Sequence, residues 1–188
     1  TLMHTLNIVG LGGSHSDFSA SLYALKIALS AAEATGCNTQ LFDIEKLDLP
    51  FFDTRSTIIP AKAQHFCDSL YAADALIWAS PLYHGSVSGA FKNAIDWLEL
   101  LSSNTPKYLS QKPVGLIATA GGTQGLQAIN TMEYMVRALR GFTIPLVVPV
   151  SNAWDIFTAE GAITDQKVAQ QLEALGQEVA STALLMRP

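Results

Sequence analysis

The 188-residue sequence has few charged side chains and no excess of positive charge. Charged residues make up 14% of the chain against 49% hydrophobic residues, and 11 Lys and Arg stand against 16 Asp and Glu, a formal net charge of -5. Because so many side chains can be buried, intrinsic disorder is not expected. Because no basic stripe is present, we expect neither a nucleic-acid partner nor binding to an anionic membrane.

Cysteine and long apolar runs are also scarce. The chain has only two cysteines, Cys37 and Cys67, and they lie far apart. Two such cysteines do not make a disulfide framework, and they lack the spacing of metal ligands, so no metal site is expected. Free cysteines are typical of a reducing compartment. No apolar run approaches the roughly 20 residues that cross a bilayer. We therefore expect a cytoplasmic protein without a membrane segment and, at this length, a single domain over residues 1–188.

The sequence does contain a repeated alternation of short apolar runs and amphipathic stretches. The predicted strands are residues 6–12, 39–44, 75–80, 113–120 and 143–150. The predicted helices are residues 19–35, 61–73, 88–101, 124–140 and 165–186. The runs that begin at 75 and 113 are almost wholly apolar, which is typical of parallel strands covered on both faces. The pattern predicts an α/β fold, a three-layer, doubly wound, five-stranded parallel sheet.

Glycine and serine are concentrated in three loops that follow predicted strands. These loops are GLGGSHSDFSAS after the first strand, SPLYHGSVSG after the third and TAGGTQGLQ after the fourth. In open parallel sheets, ligands bind at the carboxyl ends of the strands, near the point where the strand order reverses. The three loops are therefore candidate walls of one ligand site.

The first loop has the features of an anion site. Gly12 and Gly13 allow close backbone approach, four serines supply hydroxyls, and the next helix presents free N–H groups and its positive dipole end. The serines are Ser14, Ser16, Ser19 and Ser21. The alternative is that Ser16 or Ser19 only caps the helix. Neither a P-loop lysine nor the third glycine of the dinucleotide fingerprint is present, which favours a ligand with one terminal phosphate.

The second and third loops are suited to a flat ring. Tyr83 and His84 offer ring faces or edges, and Gly85 lets backbone N–H groups approach a planar ligand. Residues 121–125 open another helix and offer backbone donors to the electron-rich edge of a ring. The alternatives are a loop histidine and a glycine-rich turn that bind nothing. Together the three loops predict a site for a heteroaromatic ring with a phosphate tail, such as flavin mononucleotide (FMN).

Two of these stretches resemble the NAD(P)H-dependent FMN reductases, which have a flavodoxin-like fold and include flavin, azo, quinone and chromate reductases. GGSHSDFSASLYAL resembles the family's Gly-Ser-x-Arg-x-x-Ser phosphate loop. SPLYHGSVSGAFKNAIDWL resembles its Pro-x-Tyr segment that ends in Asp-Trp-Leu, and AGGTQG extends the resemblance along the chain. The chain departs from the family at Ser16, where arginine is frequent, and at Leu126, where many relatives have glycine; Asp17 adds a negative charge.

The resemblance implies FMN and NADPH (or NADH) as cofactors, with hydride passing from the nicotinamide through FMN to an acceptor. The acceptor is a free flavin, a quinone, an azo compound or a metal oxyanion. Because the cofactors carry this chemistry, no catalytic side chain is assigned. The residues that the resemblance assigns to FMN are Ser14, Ser16, Ser19, Ser21, Pro81, Leu82, Tyr83, His84, Gly85, Gly121, Gly122, Gln124 and Gly125. A flavodoxin-type electron carrier and a flavin-binding redox sensor are the alternatives; a carrier would not oxidise NADPH without a partner reductase.

The helix predicted at residues 88–101 has an unusually wide apolar face. Its apolar side chains cover an arc of roughly 160° at about 100° per residue, wider than the stripe near 100° of a one-sided surface helix. These residues are Phe91, Ala94, Ile95, Trp97, Leu98 and Leu101. The excess predicts a subunit interface, and the family commonly forms dimers or tetramers through this region, so a homodimer or homotetramer is expected. The alternative is a helix packed deeply within its own domain.

Overall fold

A computed structural model describes residues 5–187, so residues 1–4 and 188 of the predicted domain lie outside the described part of the chain. The strands are β1 (Asn7–Gly12), β2 (Asn38–Asp43), β3 (Ala75–Tyr83), β4 (Ser86–Val87), β5 (Pro113–Thr119) and β6 (Phe142–Val150). The helices are α1 (Ala20–Glu33), α2 (Ile44–Leu47), α3 (Ala61–Ala72), α4 (Gly89–Asp96), α5 (Gly125–Ala138), α6 (Ala153–Ile156) and α7 (Gln166–Leu185). A 3₁₀ turn, Trp97–Leu101, continues α4.

The five long strands are parallel and lie in the order β2–β1–β3–β5–β6. The predicted doubly wound sheet is therefore confirmed, with the strand order of flavodoxin-like folds and its reversal between β1 and β3. The two-residue strand β4 pairs antiparallel with the end of β3 and was not predicted. No helix of residues 5–187 has both the length and the hydropathy to span a membrane.

Alternate residues of the central strand enter two different cores. Ala75, Ile77 and Ala79 of β3 belong to the core formed with α1 and α7. Leu76 and Trp78 belong to the core formed with α3, α4 and α5. Because successive side chains of a strand point to opposite faces, one apolar run supplies both layers. Helices thus cover both faces of the sheet, as the near-continuous apolar strands predict.

The structure changes the interpretation of the helix predicted at residues 88–101. Its α-helical part ends at Asp96, and all six side chains of the wide apolar arc are buried within the chain. They pack in the core that α3, α5 and the sheet share. The width of the arc is thus explained without a second subunit, as in the alternative above, and the homo-oligomer stays a prediction without this argument.

Candidate functional site

A half-open cleft of about 660 Å³ lies at the carboxyl ends of β1, β3 and β5. Its volume is within the range of small-molecule and cofactor sites. The lining residues are Ser14, Ser16, Phe18, Ala20, Ser21, Pro81, Leu82, Tyr83, Thr119, Gly121 and Trp154. The three predicted loops therefore line one cleft, at the reversal of strand order where the fold favours ligand binding.

The adjacent glycines of the first loop, Gly12 and Gly13, lie against neighbouring strands. A Cβ on Gly12 would lie 2.7 Å from the carbonyl oxygen of Ala79 on β3. Gly13 has a φ of +106°, and a Cβ there would lie 3.0 Å from a carboxylate oxygen of Asp43. Gly12 therefore serves the close approach of β3, whereas the sequence pattern alone suggested close approach to an anion.

Three of the four serines form a linked group of hydroxyls. The Ser14 hydroxyl donates to Ser19 Oγ at 3.1 Å, and Ser19 Oγ lies 3.4 Å from Ser21 Oγ. Ser19 is the N-cap of α1, because its Oγ accepts from the Leu22 N–H at 3.4 Å. The capping alternative thus holds for Ser19, which does not line the cleft, while Ser14 and Ser21 do line it. Ser16 lies at the exposed rim.

The start of α1 presents the positive end of its dipole to this end of the cleft. Ala20 and Ser21 are the first two residues of the 14-residue helix, and both line the cleft. Their N–H groups have no intrahelical partner. None of the described residues that line the cleft is Lys, Arg, Asp or Glu. An anion here would interact with the positive end of a macrodipole, equivalent to about half an elementary charge, and with serine hydroxyls.

The second loop is a β-hairpin. His84 and Gly85 are its two turn residues, with φ values of 49° and 84°. Two-residue hairpin turns of this kind need positive φ at both positions. The buried hydroxyl of Ser80 closes the base of the hairpin, because it accepts from the Ser88 N–H at 3.1 Å. The hairpin directs Pro81, Leu82 and Tyr83 to the cleft, whereas His84 and Gly85 lie at its exposed tip and do not line it.

The glycines of the third loop differ in whether they line the cleft. Gly121 is a lining residue, whereas Gly122 and Gln124 are exposed outside the lining. Gly125 is buried as the first residue of α5, and a Cβ there would lie 3.2 Å from Pro149 Cβ on β6. The structure thus gives Gly125 a packing role at the start of a helix.

The predictions from sequence did not include four lining residues: Phe18, Ala20, Thr119 and Trp154. Thr119 is the last residue of β5 and is buried, and its position at a strand end was a usable signal. Trp154 lies on α6, just after β6, in a loop without the glycine cluster that identified the other three. Nothing in the local sequence shows that this loop reaches the same cleft.

The cysteines lie away from the cleft. Cys37 and Cys67 are both buried and unpaired. Burial, with a smaller contribution from Asp68, raises the pKa of the Cys67 thiol to about 12, so the thiol is protonated near neutral pH. Its Sγ donates to the carbonyl oxygen of Trp97 at 3.3 Å. Residues 5–187 contain no group of three or more His, Cys, Asp or Glu side chains arranged to hold a metal ion.

Comparisons of the sequence and the structure with known proteins find flavin-dependent oxidoreductases. The sequence profile of the NADPH-dependent FMN reductase family matches residues 6–155. An NAD(P)H-dependent FMN reductase of Pseudomonas aeruginosa is 31% identical over 180 residues, 90% of this chain and 93% of that protein. An FMN-dependent NADPH-azoreductase of Staphylococcus haemolyticus is 30% identical over 158 residues, 80% of this chain and 78% of that one. The solved structure of FerB, a flavoenzyme NAD(P)H:(acceptor) oxidoreductase of Paracoccus denitrificans, has the same fold, with a TM-score of 0.78 at 19% identity over 96% of this chain and 98% of FerB.

Proposed function

The chain belongs to the NADPH-dependent FMN reductase family, and from that premise we propose how its cleft holds FMN and which acceptors it reduces. It is an NAD(P)H-dependent oxidoreductase that uses FMN. The observation that carries the proposal is the cleft at the β1/β3 reversal, with linked hydroxyls and a helix N-terminus at one end and an apolar wall at the other. This division matches a phosphate and a ring.

We assign the phosphate to the start of α1. The N–H groups of Ala20 and Ser21 supply donors, with Ser16 at the rim. The Ser14 hydroxyl, whose single proton points to Ser19 Oγ in this structure, and the Ser21 hydroxyl would rotate to donate to a phosphate oxygen. Ser19 acts indirectly, because its Oγ caps the helix. Neutral donors and a helix dipole suit a terminal phosphate, as at other helix N-termini.

We assign the isoalloxazine ring to the hairpin side of the cleft. Pro81 and Leu82 offer apolar surface, Tyr83 an aromatic one, and Thr119 and Gly121 border the same space. When bound, FMN supplies the hydride chemistry, accepting from the nicotinamide and passing on to the acceptor. The protein residues orient the ring and exclude water. Of the other residues assigned by resemblance, His84 and Gly85 shape the hairpin, and Gly122, Gln124 and Gly125 form the start of α5.

A double substitution that spares the helix cap tests the phosphate assignment. Ser14→Ala with Ser21→Ala should weaken FMN binding at least about a hundredfold, since two hydrogen bonds to a charged group are lost and each contributes about 1.5–3 kcal/mol. Riboflavin, which has no phosphate, should bind with nearly unchanged affinity. Fluorescence titration of the flavin-free protein measures both. Equal losses for the two ligands would overturn the assignment.

The matched control removes two hydroxyls far from the cleft. Ser110 and Ser181 each donate to a backbone carbonyl within their own segment. Ser110→Ala with Ser181→Ala should leave the affinities for FMN and riboflavin unchanged.

Reduction by NADPH distinguishes the reductase from an electron carrier. Anaerobic NADPH should bleach the visible absorbance of the flavin-loaded protein, an activity that an electron carrier would lack without its own reductase.

We further propose that the acceptor is a small planar molecule such as a free flavin, a quinone or an azo compound. The apolar, uncharged lining of the cleft favours these over a metal oxyanion. We propose a cytoplasmic location because both cysteines are free, as a reducing compartment would keep them. A homodimer or homotetramer also remains a proposal, tested below at α4.

A further inference from the structure

Trp154 differs from the two other tryptophans of the chain. Trp78 and Trp97 are buried, at 0% and 3% exposure, whereas Trp154 is 77% exposed and lines the cleft. An exposed tryptophan at the mouth of a ligand cleft presents a large, rigid aromatic surface at low entropic cost. The surrounding sequence did not identify it, and the assignment of FMN to Ser14, Ser21 and the hairpin does not use it.

The backbone beneath this indole is held in place. Ala153 is buried, and its N–H donates to the carbonyl oxygen of Ala120 at 2.9 Å. The Asn152 N–H donates to the carbonyl oxygen of Gly122 at 3.1 Å, and Asn152 itself adopts a φ of +48°. These bonds join the loop after β6 directly to the loop after β5. The exposed side chain therefore projects from an anchored segment.

The exposed aromatic surface lies on the solvent side of the cleft. Tyr83, from the end of β3, is 50% exposed and is the other large exposed aromatic residue among the described lining residues. Ser14 and Ser21, which also line the cleft, are buried. A molecule that enters after FMN has bound meets the aromatic rim before it meets the serines.

We propose that Trp154 determines specificity for the molecule that exchanges hydride with bound FMN, by stacking on that molecule's planar conjugated ring at the mouth of the cleft. The proposal rests on the proposed function, in that FMN occupies the polar end and the hairpin wall. Two molecules share the required chemistry, the nicotinamide ring of NADPH and the ring of a planar conjugated acceptor. A ringless acceptor would gain nothing from the indole.

Binding is measured first by iodide quenching of tryptophan emission. Because Trp78 and Trp97 are buried, the quenchable emission should belong to Trp154 and disappear in Trp154→Phe. NADP⁺ or a benzoquinone added to the FMN-loaded wild-type protein should then lower the Stern–Volmer constant for iodide, because a stacked indole is shielded from iodide. An unchanged Stern–Volmer constant at saturating concentrations of both molecules would overturn the proposal.

Steady-state kinetics then separate the two rings. Trp154→Ala should raise the KM of the stacked substrate severalfold, up to about tenfold, with Trp154→Phe close to wild type. If the nicotinamide stacks, the KM for NADPH rises with ferricyanide as acceptor. If the acceptor stacks, the KM for benzoquinone rises while that for ferricyanide does not. Tyr134→Ala, which removes an aromatic residue 71% exposed on α5 outside the cleft, is the matched control and should change neither.

Other outcomes count against the proposal. If Trp154→Ala leaves every KM unchanged while FMN binds and turnover is normal, this proposal fails and the proposed function stands. If Trp154→Ala weakens FMN binding and leaves both KM values unchanged, the indole contacts the cofactor and the proposal is overturned. If wild-type protein binds no FMN, the proposed function and this inference fail together.

Discussion

The two faces of the sheet differ in the side chains that pack on them. On the face that α1 and α7 cover, glycine and alanine make many of the contacts, beside Leu, Ile and Val side chains; these small residues include Gly10, Ala24, Ala28, Ala79, Gly115, Gly176, Ala180 and Ala183. On the face that α3, α4 and α5 cover, large side chains dominate, among them Phe42, Phe66, Trp78, Phe91 and Trp97. The first is called the small-residue face and the second the large-residue face.

The difference shows how the fold divides the work of positioning the site. On the small-residue face, backbones come very close, because a Cβ on Gly176 of α7 would lie 2.0 Å from the carbonyl oxygen of Ala28 on α1. Close packing there fixes α1, whose N-terminus forms the polar end of the cleft. The large-residue face supports β3 and the hairpin that carries Pro81–Tyr83. We therefore expect binding of the phosphate to depend on packing of the small-residue face, and binding of the ring to depend on packing of the large-residue face.

The largest effect is expected at the closest contact of the small-residue face. Gly176→Ala should lower the free energy of unfolding by about 3 kcal/mol, because the new methyl group meets backbone atoms of Ala28 and Ala32, which cannot rotate away. This loss exceeds the roughly 1 kcal/mol that alanine usually gains over glycine in a helix. Chemical denaturation measures the change. FMN affinity should fall more than riboflavin affinity, because α1 is displaced.

Gly89→Ala is the matched control on the other side of the sheet. Gly89 begins α4, and a Cβ there would have nothing within 4 Å. Its stability should stay within about 1 kcal/mol of wild type, in the direction of a gain. If the two alanines have equal effects, the contrast between a tight and a tolerant face is wrong.

A smaller effect is expected from two tryptophans of the large-residue face. The Trp97 indole N–H donates to the carbonyl oxygen of Pro50 at 2.9 Å, whereas the Trp78 Nε1 has no hydrogen-bond partner among residues 5–187. Trp97→Phe loses a hydrogen bond, and Trp78→Phe removes a buried donor that is not paired. Trp97→Phe should therefore be the less stable variant by about 2 kcal/mol in chemical denaturation.

Each substitution removes the same atoms from a buried ring system. Equal stabilities of the two phenylalanine variants would therefore mean that the lost ring volume alone sets the change in the free energy of unfolding. The large-residue face would then depend on packing alone. A less stable Trp78→Phe variant would contradict the interpretation of its indole nitrogen as unpaired.

The sequence predicted most of the fold because apolar runs report burial directly. Every predicted strand and helix is present, with ends shifted by up to three residues when the 3₁₀ turn Trp97–Leu101 is counted with α4. The end of β3 was missed because Pro81 interrupts the apolar run, although the strand continues beside β5, where Pro81 pairs with Thr119. The arc on residues 88–101 was misinterpreted because a helical projection counts apolar residues without showing how many neighbouring elements cover them.

The candidate site was predictable where one loop carries its own signal. Ser14, Ser21 and Tyr83 were identified from local patterns, Pro81 and Leu82 from the family resemblance, and all five line the cleft. Ser19 and Gly125 have the expected residue types but serve a cap and a helix contact. Trp154 lies at the cleft because backbone hydrogen bonds join the loops after β5 and β6. No local sequence pattern indicates that these two loops are close together.

The smallest effect is expected on the solvent-exposed outer surface of α4, the helix that covers part of the large-residue face. Lys92 and Asp96 form an ion pair one turn apart on α4, with both side chains close to half exposed. Lys92→Met should change the free energy of unfolding by only about 0.5 kcal/mol, because exposed pairs at this spacing contribute little. Lys26→Met, at an exposed position of α1 on the small-residue face, is the matched control.

Light scattering on the same two variants tests whether this outer surface contacts a second subunit. If the outer surface of α4 lies in a homodimer or homotetramer interface, Lys92→Met should lower the mass at low protein concentration while Lys26→Met keeps it. A wild-type protein that is monomeric at every concentration would make the predicted oligomer wrong. An oligomer that neither substitution changes would move the interface away from α4. In that case the large-residue face would serve only the chain's own core, the role that burial of all six apolar side chains of residues 88–101 already supports.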